Sequence, residues 1–146
     1  MKKRWAAFLT AAVLAAVLFP ARSWAVELPV EAQAALLMEK TTGQVLYAKN
    51  EHEQLEPASV TKVMTLLLAM EALERGEVTL DTMITGSEYA CSMGGTQIWL
   101  EPGEQLTLDE MLKAIAVGSA NDCAVAVAEH LAGTEAAFVE RMNQRA

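Results

Sequence analysis

Residues 59–76 read SVTKVMTLLLAMEALERG, and the architecture turns on this stretch. From Ser59 to Arg75 the pattern is helical, and Gly76 stands where a C-terminal cap is expected. The middle, Val63 to Ala69, is apolar all round apart from Thr65, which predicts a helix buried on every side. Upstream, the mostly polar residues 50–57 close with Pro57. Before them, Ala34–Glu39 and Gln44–Lys49 flank Thr41-Thr42-Gly43, a hairpin pattern with glycine in the turn.

Downstream, residues 86–103 are mixed and turn-rich, punctuated by Gly94-Gly95 and Pro102-Gly103. Thr107 with Glu110 forms a capping box that opens a helix through Val117, and Gly118 interrupts it. Asp122 is expected to cap a second helix running to Ala132. Gly133-Thr134 separates that helix from a third over 135–146. No internal repeat is visible. The reading is therefore two strands followed by a nearly all-helical chain. Two strands alone make a marginal sheet, and Ala146 falls inside a helical pattern with no stop signal. The expectation is the N-terminal part of a longer protein.

Residues 1–25 read as a secretory leader. Lys2, Lys3 and Arg4 form a basic start, residues 5–19 are neutral and apolar but for Thr10, and Ser23-Trp24-Ala25 offers small residues, Ser23 and Ala25, at the two positions a signal peptidase reads. The apolar run is shorter than the roughly 20 residues of a membrane-spanning helix. The expected product is exported and extracytoplasmic, starts at Val26, and contains no transmembrane segment. With 7 basic against 19 acidic residues after the leader, its formal charge is −12. That balance excludes a nucleic-acid binder, which needs a clustered basic footprint. Two cysteines fit neither a disulfide scaffold nor a spaced zinc site, so no metal is expected.

Two short patterns carry chemistry. Ser59 and Lys62 are three residues apart at a helix start, about 4.5 Å apart along the axis and on one face. A serine hydroxyl is a weak nucleophile until a base removes its proton. A lysine does so once burial and neighbouring cations favour its neutral form, and the buried helix is expected to provide that desolvation. A helix N-terminus also offers N–H groups to an oxyanion. The bland alternative is a capping serine and a solvated lysine. Ser119-Ala120-Asn121 is the second pattern, in the break between two helices. There a hydroxyl can relay a proton, and an amide can hold a substrate carbonyl or steady the lysine. The bland alternative is a polar interhelical turn. Chance supplies about 0.2 of the first pair and about 0.1 of the second in a chain of this composition, so the combination is far more specific than either alone.

Pro57-Ala58-Ser59-Val60-Thr61-Lys62 with Met64-Thr65, and Ser119-Ala120-Asn121-Asp122, resemble the first two motifs of the serine D-alanyl-D-alanine carboxypeptidases, the low-molecular-mass penicillin-binding proteins. The likeness runs from about Ala32 to Ala146. The resemblance implies an α/β (α+β) fold of the β-lactamase/penicillin-binding-protein type, with a sheet flanked by helices plus a helical subdomain. It implies Ser59 as the acylated nucleophile, Lys62 as its general base, Ser119 as proton shuttle and Asn121 as the substrate-positioning amide. It further implies a peptidoglycan stem peptide ending in D-Ala-D-Ala as substrate, β-lactams as covalent inhibitors, and no cofactor.

The family's third motif, Lys-Thr-Gly on a later strand, does not follow Asn121; only Lys40-Thr41-Thr42 comes near, on the wrong side of the serine. The family's C-terminal domain and membrane-binding tail are absent as well, so little or no turnover is expected from this chain by itself. Two further readings stand beside this one. A class A β-lactamase-like hydrolase shares the serine–lysine pair but typically carries Ser-Asp-Asn and a deacylating glutamate. A non-catalytic exported module would bind wall peptide without turnover.

The remaining chemistry-bearing residues read as bland. Cys91 and Cys123 are expected to be buried free thiols rather than a disulfide. His52 and His130 fit no metal spacing. Glu51, Glu53 and Glu56 form a solvated loop, Glu71, Glu74 and Glu77 fringe a helix end, and the methionines beyond Met1 read as core filler.

Overall fold

The computed structural model describes residues 28–146. The leader read over residues 1–25 lies outside them. The chain divides into two compact units, with the boundary between Gln54 and Leu55, and each is taken by itself.

The first is the expected hairpin. Strand β1 (Ala35–Met38) pairs antiparallel with β2 (Val45–Lys49), with a register irregularity at Leu37/Met38. Gly43 adopts φ +71, and the Glu39 carboxylate accepts from the Thr41 and Thr42 amides and the Thr42 hydroxyl. Those bonds, the Thr42 hydroxyl first, hold the Glu39 carboxyl at about 2. The end of β2 is tied down by Lys49 Nζ, which donates to the carbonyls of Val30 and Ala32, both at 2.8 Å.

The second unit opens with a 3₁₀ turn, Ala58–Thr61, which runs into helix α1 (Lys62–Glu74). Gly76 follows at φ +70, as the cap expectation requires. Then come β3 (Met83–Thr85), the short α2 (Glu88–Cys91), β4 (Gln105–Thr107), α3 (Leu108–Gly118), α4 (Asn121–Ala132) and α5 (Glu135–Arg145). The predicted capping box is present at Thr107 and Glu110, and Thr134 caps α5 through the Ala137 amide.

Helix α3 buries Leu108, Met111, Leu112 and Ile115, the i, i+3, i+4, i+7 stripe of an amphipathic helix. Helix α4 carries six buried residues, more than any other element described. It packs against α1, α2, α3, α5 and β3, so its N-terminus is a fixed reference point for the unit. Phe138 brings α5 onto this core.

Four expectations need correction. The chain after the hairpin is not nearly all helical, because β3 and β4 form a second antiparallel pair with Ile84 opposite Leu106. The ladder extends through Gly86 and Glu104, closing a loop over residues 86–104 at its base. Helix α1 is not buried on every side. Thr65, Ala69 and Ala72 face the core, while Val60, Val63, Leu67 and Met70 share an exposed face, with Val63 63% exposed. The apolar run signals apolar surface but does not say which faces the unit covers. Asp122 does not cap α4; Ala120 is the N-cap residue and Asp122 lies inside the first turn, fully buried. The methionines are not uniformly core either: Met111 is fully buried, whereas Met38, Met70 and Met83 are about half exposed.

Candidate active site

The 3₁₀ turn sets the nucleophile candidate. Ala58 sits at φ +47, a left-handed conformation unusual for a residue with a Cβ. That sharp entry places Ser59 directly before α1, with Lys62 one turn on. Lys62 Nζ is 3.3 Å from Ser59 Oγ, so the spacing read from the sequence does join the two side chains.

The second pattern arrives from the α3–α4 junction. Ser119 ends α3 in a left-handed C-cap, φ +56, and Asn121 is the first residue of α4. Ser119 Oγ donates to Ser59 Oγ at 2.9 Å, and Lys62 Nζ donates to Asn121 Oδ1 at 2.6 Å. All four residues singled out in the sequence thus form one connected cluster across some 60 residues of chain. Lys62 is half-buried rather than sealed in the core, so the desolvation expected from an all-round buried helix is only partial.

Asn121 has a defined amide orientation. A backbone carbonyl only accepts, so the atom facing Gly94 at 2.7 Å is the NH₂ group, and the other atom, facing Lys62, is the carbonyl oxygen. The backbone N–H of Asn121 donates to the Thr96 carbonyl at 2.8 Å. Gly95 lies between these contacts at φ +79, and a Cβ there would stand 2.9 Å from Asn121 Nδ2. The Gly94-Gly95 punctuation is therefore more than a turn: it lets the backbone approach the site amide. A cavity of about 250 Å³ opens beside Lys62 and Asn121, floored by Val125, Phe138 and Met142.

Three participants were not legible as such in the sequence: the Gly94 carbonyl, Gly95 and Asp122. The double glycine was the available signal for the first two. Asp122 accepts from the backbone N–H groups of Ile98, Leu100 and Cys123 at 3.1, 3.1 and 2.9 Å. Cys123 and Cys91 are both free thiols, Cys123 fully buried and Cys91 half-buried. Burial, reinforced by the Asp122 carboxylate, pushes the Cys123 thiol up to about 12, and burial likewise raises Cys91. Neither is a thiolate at neutral pH, and neither competes with Ser59 as nucleophile. His52 and His130 are exposed.

The D-alanyl-D-alanine carboxypeptidase family profile matches residues 22–146. The chain belongs to that family. The D-alanyl-D-alanine carboxypeptidase DacF of Bacillus subtilis (strain 168) is 54% identical over 120 residues, covering 82% of this chain and 31% of DacF. Among solved structures, the D-alanyl-D-alanine carboxypeptidase DacD of Francisella tularensis superposes with TM-score 0.78 at 34% identity, over 81% of this chain and 29% of that one. Penicillin binding protein 5 of Haemophilus influenzae gives TM-score 0.77 at 32% identity, over 82% and 36%. The fold class is thus the β-lactamase-like one of the D-alanyl-D-alanine carboxypeptidases, mixed helix and strand. The chain spans about a third of the length of these relatives.

Proposed function

We propose that this chain carries the acylating centre of a serine D-alanyl-D-alanine carboxypeptidase, which removes the terminal D-alanine from peptidoglycan stem peptides. The observation that carries the reading is the contact set of Ser59: Lys62 Nζ at 3.3 Å and Ser119 Oγ at 2.9 Å, with Lys62 tethered to Asn121 at 2.6 Å. Family membership and the similarity to DacF support it.

In this reading the neutral amine of Lys62 takes the Ser59 hydroxyl proton as Oγ attacks the carbonyl carbon of the penultimate D-alanine. Asn121 holds a substrate carbonyl through its remaining N–H. Collapse of the tetrahedral intermediate breaks the peptide bond, and Ser119 passes a proton to the departing D-alanine nitrogen. Water then attacks the acyl-serine ester, releasing the shortened peptide and restoring the Ser59 hydroxyl. A β-lactam follows the first half of this course: its amide opens onto Ser59 and no fragment departs, which suits it as a covalent inhibitor. Residues 1–146 contain the first two family motifs and no Lys-Thr-Gly after Asn121, so by themselves they are proposed to turn over little or no substrate. We extend the reading to location: residues 1–25 direct export, and the chain acts outside the cytoplasmic membrane. No helix among the described residues is long and apolar enough to cross a membrane.

The test is intact-mass spectrometry of the full-length gene product after incubation with a β-lactam, alongside Ser59→Ala. A stoichiometric adduct that disappears in the variant is the expected result. An unmodified full-length protein, or an adduct retained without Ser59, would overturn the assignment.

A further inference from the structure

Asp122 is fully buried, and no ion pair among the described residues involves it. A buried carboxylate is costly unless hydrogen bonds replace its water. Here three backbone N–H groups do so. One, from Cys123, belongs to its own helix; the other two, from Ile98 and Leu100, belong to the 86–104 loop.

Between those two amides sits Trp99, at φ +66 and 77% exposed. A left-handed conformation at a bulky residue persists only where its surroundings hold it. The exposed side chain of Trp99 contributes little to that hold, which comes instead from its neighbours: the Asp122 clamp on both amides and the burial of the Leu100 side chain. The same loop meets Asn121 twice a few residues earlier, through the Thr96 and Gly94 carbonyls.

We infer that Asp122 is a positioning residue for acylation: it clamps the Gly94–Leu100 segment, whose Gly94 carbonyl then fixes the Asn121 amide. The amide has two N–H donors and one carbonyl. Lys62 occupies the carbonyl and Gly94 takes one N–H, which leaves a single N–H aimed by the other two contacts. If the loop slackens, the amide can rotate, and both the Lys62 tether and the substrate-facing N–H lose their direction. Gly95 marks how close the approach is, because a Cβ there would reach Asn121 Nδ2 at 2.9 Å. This inference rests on the proposed acylation of Ser59.

The experiment is a double-mutant cycle on the full-length gene product, reading the rate of acylation by a fluorescent penicillin. Four proteins are compared: wild type, Asp122→Asn, Asn121→Ala and the double variant, with melting temperatures taken in parallel. Asp122→Asn is expected to slow acylation about ten-fold, and to change it less than about two-fold once Asn121 is already alanine, as for residues acting through one network. A purely structural Asp122 would slow both backgrounds equally, and that additive result overturns the inference, as does an unchanged rate in Asp122→Asn. If Asp122→Asn fails to fold, Gly95→Ala in the same two backgrounds reads the loop-to-Asn121 contact directly, and additivity there is equally fatal. An unacylated wild type would instead overturn the reading of the site itself, which separates the two failures.

Discussion

Replacing Lys62 with arginine separates the two tasks the geometry gives that residue. Lys62 Nζ donates to Asn121 Oδ1 at 2.6 Å and lies 3.3 Å from Ser59 Oγ. An arginine keeps the positive charge and offers several donors for the Asn121 carbonyl, but its guanidinium does not give up a proton at any working pH. If Lys62 only tethers Asn121 and balances charge, Lys62→Arg should acylate almost normally. If it is the base, the variant loses what general-base catalysis supplies, about 10²- to 10⁴-fold. At 1.36 kcal/mol per decade that is about 2.7–5.4 kcal/mol of transition-state stabilisation. The fold should barely notice, since Lys62 is half-buried at the start of α1 and its hydrogen bond has a replacement; a change within about 0.5 kcal/mol is expected. Stopped-flow acylation by a fluorescent β-lactam, with a melting curve on the same sample, reads both quantities. A Lys62→Arg protein that acylates within ten-fold of wild type would refute the assignment of Lys62 as base.

Three further outcomes are expected. Phe138 is 2% exposed where α5 meets the core, so Phe138→Ala should destabilise the protein by about 3–5 kcal/mol in thermal or urea melts. The buried Cys123 thiol is raised to about 12, against about 8.5 in an unfolded chain. The native state therefore holds its proton more tightly, and stability should fall as pH rises from about 8.5 toward 12; urea melts of Cys123→Ala across that range should slope less. The Glu39 carboxyl, held at about 2 by Thr42 and the Thr41 and Thr42 amides, contributes to the hairpin above the unfolded value of about 4.3 and ceases to as pH falls toward 2. An NMR titration should find its midpoint near 2, moving upward in Thr42→Val.

What could be read in the sequence was whatever local chemistry dictates. Thr41-Thr42-Gly43 needs only its neighbours to form a turn, and Thr107 with Glu110 satisfies helix-end donors wherever it occurs, so both lie where expected. Ser59, Lys62, Ser119 and Asn121 were legible because two rare spacings coincide, although their meeting across 60 residues is a tertiary fact. Strands β3 and β4 have three residues each, too few for an alternation to register, and they exist because the ladder closes a loop. Asp122 was misread because an aspartate near a helix start looks the same whether it caps its own helix or clamps a distant loop; only the partners at Ile98 and Leu100 distinguish the two. The apolar run of α1 fixed the helix but not its covered side. The left-handed turn at Ala58 had no glycine to announce it.

Ser119 occupies the left-handed position that ends α3, where glycine is the favoured residue. The adjacent Gly118 comes one residue too early to fill that position. Ser119→Gly would therefore relieve about 1 kcal/mol of backbone strain while deleting the hydroxyl that reaches Ser59. Selecting variants of this protein for thermal robustness alone would reward that exchange, so a heat-challenge library should enrich glycine at 119 unless β-lactam labelling is imposed as a second criterion. Under the proposed function, stability and chemistry make opposite demands on this one backbone position.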